Sequence, residues 1–200
     1  MYEYIAGHLS TLEPTRAVVD CGGVGYLLEI SLNTYQTINA SPAQEVKLLV
    51  HEVIRDDAHL LYGFADEAER SLFRLLIEVS GVGVQTARVM LSSMTVDELT
   101  AAIAAQEIKK IQKIKGIGAK TAQRIALELA DKVGAPELRA AAGNAAPSSS
   151  QQQEEAAVAL TMLGFPKTAV DKVLAAGKWT TDSGQPMTVE EIIKEALKRL

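Results

Sequence analysis

The chain has 200 residues, of which 48% are hydrophobic but only 4% aromatic, and it carries a net charge of −5. This composition excludes a wholly disordered chain and favours small helical units over one large sandwich. Its single cysteine, Cys21, excludes an internal disulfide and suits a reducing compartment. Because neither a signal peptide nor a membrane-spanning apolar run is recognisable, we expect a cytoplasmic protein without membrane contact.

Residues 1–64 predict a small β-barrel. Five short segments are rich in Val, Ile, Leu and Tyr, and they partly alternate with period two. The predicted strands are residues 2–9, 16–20, 25–31, 45–55 and 59–64, with one short helix at 33–39. Five short strands with one helical interruption are typical of the OB-fold.

Residues 65–134 predict a central helical domain, because apolar residues recur there at spacings of three and four. The predicted helices are residues 66–79, 85–92, 96–105, 107–114 and 120–133. Asp66 and Thr95 are expected N-caps, and Glu98 is placed to complete a capping box with Thr95.

Residues 135–153 are small and polar, with two prolines. They predict a flexible linker, because such a segment cannot bury enough apolar surface to offset its ordering entropy. Helical spacing resumes in residues 154–200, at 155–163, 167–176 and 189–200. The predicted fold class is therefore α+β and multidomain, with an N-terminal OB-fold barrel, a central helical domain and a C-terminal three-helix module.

The C-terminal module has more large apolar residues than a unit of its size is expected to bury. We therefore expect some of them to face a partner, and the candidates for partner docking are Leu160, Leu163, Ile192, Ile193 and Leu197.

A repeated segment in the central domain carries the main functional signal. Residues 76–88 (LIEVSGVGVQTAR) recur as residues 111–123 (IQKIKGIGAKTAQ). Each copy ends one helix, passes through a Gly-apolar-Gly hairpin and opens another helix. Glycines leave main-chain N–H groups accessible, and the next helix N-terminus adds unpaired donors, so each copy predicts a phosphate site. Two such hairpins can grip both strands of a duplex without reading bases.

Local charge supports DNA binding at the second hairpin. The segment from Lys109 to Arg124 has six basic residues and no acidic one, and local charge dominates within a Debye length of about 8 Å. The candidate DNA-binding residues are Gly81, Val82, Gly83, Arg88, Gly116, Ile117, Gly118, Lys120, Thr121 and Arg124. Val82 and Ile117 are expected to anchor the hairpins in the core.

The sequence predicts no catalytic residue, metal site or cofactor. Residues 116–121 (GIGAKT) resemble a nucleotide-binding loop, but Ala119 separates Gly118 from Lys120, and a helix rather than a strand precedes them. We therefore reject ATP binding by this chain. The three histidines do not have metal-ligand spacing.

Three further motifs accompany the hairpins, namely residues 24–26 (VGY), 55–58 (RDDA) and 60–64 (LLYGF). In this order and spacing, and together with both hairpins, they resemble the RuvA family over nearly the whole chain. The resemblance implies a homotetramer that binds four-way (Holliday) junction DNA and holds it open and nearly planar. It also implies docking of the C-terminal module onto the hexameric ATPase RuvB, with the resolvase RuvC sharing the complex.

The resemblance also assigns roles to individual residues. It places an acidic pin at Asp56 and Asp57, in the turn between the last two strands, and basic DNA contacts at Lys120 and Arg124. One departure concerns Gln85, because the family often carries a lysine after the first hairpin. The first hairpin is therefore expected to bind through its amides and Arg88.

Two alternative functions stay open at this point. One is a repair enzyme built on the same hairpins, which would need a nucleophile beside a base-sized pocket. The other is a non-specific DNA-binding adaptor that acts through its C-terminal module. The sequence does not decide whether tetramers pair into octamers.

Overall fold

The computed structural model describes residues 2–40, 45–133, 149–177, 179 and 187–199. The chain divides into two compact units, Met1–Ala142 and Gly143–Leu200. The predicted α+β multidomain fold class is confirmed.

The first unit opens with a closed barrel whose strand order is β1-β2-β3-β5-β4. Neighbouring strands are antiparallel except β3 and β5, which run parallel. The strands are β1 (Tyr4–Glu13), β2 (Arg16–Asp20), β3 (Gly25–Ile30), β4 (Glu45–Arg55) and β5 (Ala58–Phe64), and helix α1 (Leu32–Ala40) lies between β3 and β4. Strand β1 is longer than predicted because its register shifts between Leu9 and Thr11. Such a bulge interrupts the alternation from which the strand was predicted.

In the described part of the first unit, five helices follow: α2 (Glu67–Glu78), α3 (Val84–Ser93), α4 (Val96–Ala104), α5 (Ile108–Ile111) and α6 (Ala119–Leu129). Asp66 caps α2, and the predicted capping box of Thr95 and Glu98 is present. Helix α5 is much shorter than predicted. After it, the amides of Ile114 and Ile117 bond three residues back, so the chain proceeds through tight turns.

The end of β5 shares a hydrophobic core with these helices, and the rest of the barrel has a core of its own. Tyr62 and Phe64 of β5 pack against Phe73 of α2, with ring centroids 5.3 and 5.0 Å apart. The buried Arg70 of α2 pairs with Glu3 and Glu67, and it donates to the carbonyl of Glu3 at 3.0 Å. Helix α2, which leads into the first hairpin, therefore packs directly on the barrel.

The second unit contains α7 (Ser149–Met162), α8 (Lys167–Ala176) and α9 (Val189–Leu197). Trp179 is buried among them and donates from Nε1 to the carbonyl of Leu174 at 2.7 Å. Helix α7 begins inside the segment predicted as a linker, residues 135–153, because polar residues 149–153 continue the helix. The rest of that prediction, up to residue 148, lies outside the described residues.

Two of the five candidates for partner docking lie in the core rather than on the surface. Leu160 and Ile192 are buried, because they pack together with Trp179 in the core of the second unit. Leu163 and Leu197 are exposed, and Ile193 is half-buried. Leu163 lies just beyond the end of α7, next to the exposed Met162.

Candidate nucleic-acid interface

The two hairpins have the same backbone conformation. The first glycine of each has a positive φ, +93° at Gly81 and +90° at Gly116. The second glycine of each is extended, with φ −87° at Gly83 and −80° at Gly118. Positive φ strains any residue with a Cβ, so only the first glycine is required by the backbone itself. The sequence repeat is therefore also a repeat of structure.

The apolar residue of each hairpin anchors it to the core. Val82 and Ile117 are both buried. Their amides bond to the carbonyls of Val79 at 2.9 Å and Ile114 at 3.1 Å, respectively. Their side chains therefore face the core, away from any ligand at the hairpin surface.

The surface in front of each hairpin is open. Gly83 and Gly118 are the N-caps of α3 and α6, and neither helix has a side-chain cap. A methyl group built on Gly83, Gly116 or Gly118 would meet no atom within 4 Å. The first-turn amides of α3 and α6 are therefore accessible, together with the positive ends of two helix dipoles, and this is the arrangement that binds phosphate.

The hairpins lie next to each other. Arg124 of α6 donates to the carbonyl of Ser80, which directly precedes the first hairpin, at 3.2 Å. A Cβ on Gly81 would lie 3.8 Å from Oγ1 of Thr121. The structure thus brings Gly81, Thr121 and Arg124 together into one surface.

Basic side chains concentrate at the second hairpin. Lys115, Lys120 and Arg124 are exposed, and Lys120 and Arg124 are four residues apart on one face of α6. Lys110 pairs with Glu107 at 3.5 Å. The second hairpin can therefore offer both amides and cations to a phosphate backbone.

Arg88, a predicted DNA contact, does not lie free beside the first hairpin. Its guanidinium forms an ion pair with Glu29 of β3 and donates to the carbonyl of Thr15 at 3.3 Å. It also donates to Oε1 of Gln85 at 2.9 Å. Glu29 is 59 residues away in sequence, so local pattern could not predict this pairing.

The acidic residues Asp56 and Asp57 form the two-residue turn between β4 and β5, where Arg55 pairs with Ala58. Both side chains are exposed. In the part of the chain that the structure describes, neither carboxylate has an ion-pair partner. The turn therefore presents two uncompensated negative charges.

A buried polar cluster that sequence reasoning missed lies between α1 and α2. Glu69 accepts hydrogen bonds from the hydroxyls of Ser31 and Thr34, the latter at 2.5 Å. Burial raises the pKa of Glu69, and the two hydroxyl donors oppose that shift. These hydrogen bonds join the start of α1 to α2.

No set of three or more acidic, histidine or cysteine side chains within the described ranges could hold a metal ion. Among the described helices, none combines the length and apolar character that crossing a membrane requires.

Comparisons with known proteins identify the family. Three family models match the chain: the RuvA N terminal domain over residues 1–63, the SAM-like helix-hairpin-helix tandem over 73–131, and the RuvA C-terminal domain over 151–200. The chain belongs to the RuvA family. Similar RuvA proteins, each named Holliday junction branch migration complex subunit RuvA, match over the full length of both chains. They come from Bacteroides fragilis (46% identical over 207 residues), Christiangramia forsetii (44% over 204) and Porphyromonas gingivalis (41% over 207).

Proposed function

We propose that this protein binds four-way junction DNA as a homotetramer, holds it open and planar, and recruits and stimulates a RuvB ATPase for branch migration in recombination and repair. Its relatives in the RuvA family are named as subunits of a Holliday junction branch migration complex. The observation that carries the proposal is the pair of adjacent hairpins whose helix N-termini are both open.

In this proposal each protomer grips one duplex arm. The amides of one hairpin bind the backbone of one strand, and the neighbouring hairpin binds the other strand across the minor groove. Phosphate contacts carry no base information, so the grip works on any sequence. This suits a protein along which DNA must slide.

The acidic turn formed by Asp56 and Asp57 is proposed to lie where the four barrels meet. Its uncompensated carboxylates would repel phosphates from the centre, since like charges about 4 Å apart cost about 1 kcal/mol in water and about 4 near a protein surface. Repulsion at the centre favours an open junction over a continuous duplex lying across it.

The protein itself catalyses no step in this proposal. RuvB would supply ATP hydrolysis, and RuvC would share the complex in the cytoplasm. The hairpin at residues 116–121 departs from a nucleotide-binding loop because Ala119 separates Gly118 from Lys120. The C-terminal unit is the proposed docking site for RuvB, through exposed residues that include Leu163 and Leu197.

A gel-shift comparison tests the proposal. The wild-type protein is titrated onto a four-way junction and onto linear duplex of equal length and sequence, and clear preference for the junction is expected. Equal affinity for the two DNAs would overturn the junction role and favour a non-specific adaptor. Cleavage or base removal in the same reactions would instead support a repair enzyme.

A further inference from the structure

Arg88 sits in the first turns of α3, directly after the first hairpin, yet its side chain is only 20% exposed. Its guanidinium bonds to three groups: the carboxylate of Glu29, the carbonyl of Thr15 and the side-chain amide of Gln85. Two of these groups belong to the barrel. The bonding of Arg88 is therefore directed toward the barrel rather than outward to solvent.

The same contacts extend across three barrel strands. Glu29 of β3 also forms an ion pair with Arg16 of β2, whose Nε lies 3.5 Å from Oε1. Gln85 donates from Nε2 to the hydroxyl of Tyr62 in β5, at 3.3 Å. Burial raises the pKa of Tyr62 further above its ordinary value of 10.0. The start of α3 is thus tied to β2, β3 and β5.

Among the described residues, no hydrogen bond or ion pair ties the second hairpin to the barrel. At the positions that correspond to Gln85 and Arg88 in the repeat, it carries Lys120 and Gln123. Lys120 is exposed, and within the described ranges no acidic group pairs with it. The position that corresponds to Ser80 is Lys115. The two hairpins share a backbone but differ in the charge they present.

We propose that Arg88 and Glu29 form a latch that positions the first hairpin on the barrel, and that this hairpin binds phosphate through neutral donors alone. The cationic contacts of each protomer then come from the second hairpin. One strand of each duplex arm is then bound mainly by basic side chains of the second hairpin, and the other strand by main-chain amides of the first. This inference rests on the proposed DNA-binding function and deepens it, because it divides the phosphate contacts between the hairpins.

The salt dependence of binding distinguishes a latch from a DNA contact, because only a cation that neutralises phosphate releases counterions. Binding of linear duplex is measured by fluorescence anisotropy over a range of salt concentrations. Lys120→Met is expected to flatten the slope of log K against log salt by about 0.9 per engaged protomer. Arg88→Met is expected to leave that slope at the wild-type value. Flattening by Arg88→Met equal to that by Lys120→Met would overturn the proposal.

A second variant tests positioning and still decides the question if Arg88→Met does not fold. Arg88→Lys keeps the positive charge but cannot bond to Glu29, Thr15 and Gln85 together. The latch proposal expects it to lower the preference for junction over linear duplex several-fold with an unchanged salt slope. Wild-type preference in Arg88→Lys would show that charge alone is needed, and the latch would be refuted.

These results are separable from failure of the proposed function. If the wild-type protein showed no preference for the junction over linear duplex, the proposed junction role would be refuted. The comparison of Arg88→Met with Lys120→Met on linear duplex would still decide whether the first hairpin uses a cation, because that measurement needs only duplex binding.

Discussion

Arg124 donates a hydrogen bond from Nη1 to the carbonyl of Ser80, 3.2 Å away, and so joins the helix after the second hairpin to the residue before the first. A second link lies nearby, where Lys132 pairs with Glu78 at 3.6 Å. Because both sides of the Lys132 pair are exposed, that link contributes little on its own. Arg124 therefore combines two roles, since it sets the spacing of the hairpins and places positive charge on their surface.

Replacing Lys120 and Arg124 separates these roles. Lys120→Ala is expected to flatten the salt slope by about 0.9 per engaged protomer and the double variant by about 1.8. Arg124→Ala is expected to weaken binding more than Lys120→Ala, because it also breaks the bond to Ser80. Anisotropy titrations with duplexes of unrelated sequence should show the same losses. Lys172→Ala, a change in the second unit, is the control, and an equal slope in Lys120→Ala and Lys172→Ala would contradict the assignment.

Two glycines of the second hairpin should respond differently to alanine. Gly116 has φ +90°, so Gly116→Ala is expected to destabilise the first unit by roughly 1–2 kcal/mol. Gly118 is extended and faces open space, so Gly118→Ala should leave the melting temperature unchanged. Its methyl group would nevertheless stand in front of the amides and weaken DNA binding. Thermal unfolding and anisotropy measure the two effects, and wild-type binding by Gly118→Ala would contradict the amide contact.

The raised pKa of Glu69 makes stability depend on pH. Folded protein holds this proton more tightly than unfolded protein. The stabilising contribution is therefore full below the ordinary glutamate pKa of 4.5 and is lost as pH rises through the folded-state pKa. Glu69→Gln cannot titrate. The stability of Glu69→Gln relative to wild type should therefore be greater at about pH 8 than at about pH 5. Urea denaturation at both pH values checks this, with the exposed Glu128→Gln as control, and a pH-independent difference would refute it.

Much of the fold could be predicted because burial imposes a period on the sequence. Strands β2 and β4 and helix α8 begin and end where their apolar pattern does. The errors arose where the backbone departs from a regular period, as in the bulge at Leu9 and the turns after Ile111.

The candidate site was predictable only where its signal is local. Both hairpins are contiguous and repeated, so their glycines stand out in the sequence. The partner of Arg88 is a glutamate on a distant strand, and only the fold brings the two together. Similarly, Leu160 and Leu163 are alike in sequence, and only the packing of the second unit shows that Leu160 is buried and Leu163 exposed.

The exposed residues of the second unit should affect the motor without affecting DNA binding. Leu163→Ser combined with Leu197→Ser is expected to reduce stimulation of the RuvB ATPase while the unit stays folded. Leu160→Ala removes a buried side chain instead and should cost about 2–5 kcal/mol of stability. Truncation after Gly143 is expected to abolish stimulation and to leave junction binding intact. ATPase assays with circular dichroism and gel shifts distinguish these outcomes, and full stimulation by the truncated protein would place docking elsewhere.

The exposed carboxylates of Asp56 and Asp57 are expected to control the choice of DNA. In the proposed tetramer they would come close to the point where strands exchange, and they lack ion-pair partners in the described part of the chain. Removing their charge should therefore reduce the repulsion of phosphates there. A continuous duplex lying across the centre would benefit most, because the open junction already keeps its phosphates away from that point.

Replacing both aspartates with asparagine tests this relationship while retaining the turn, since asparagine is also favoured in turns. The double variant is expected to bind linear duplex more tightly and to show a smaller preference for the junction, with an unchanged melting temperature. The rate of motor-driven branch migration should also change, because the charge at the centre sets the barrier to strand passage.

A competition assay of junction against linear duplex measures the preference directly. The matched control is Glu128→Gln with Asp131→Asn, which removes two exposed charges from the helical part of the same unit. An equal change of junction preference in the two double variants would mean that only net charge matters. An unchanged preference in both would mean that Asp56 and Asp57 serve only as polar turn residues.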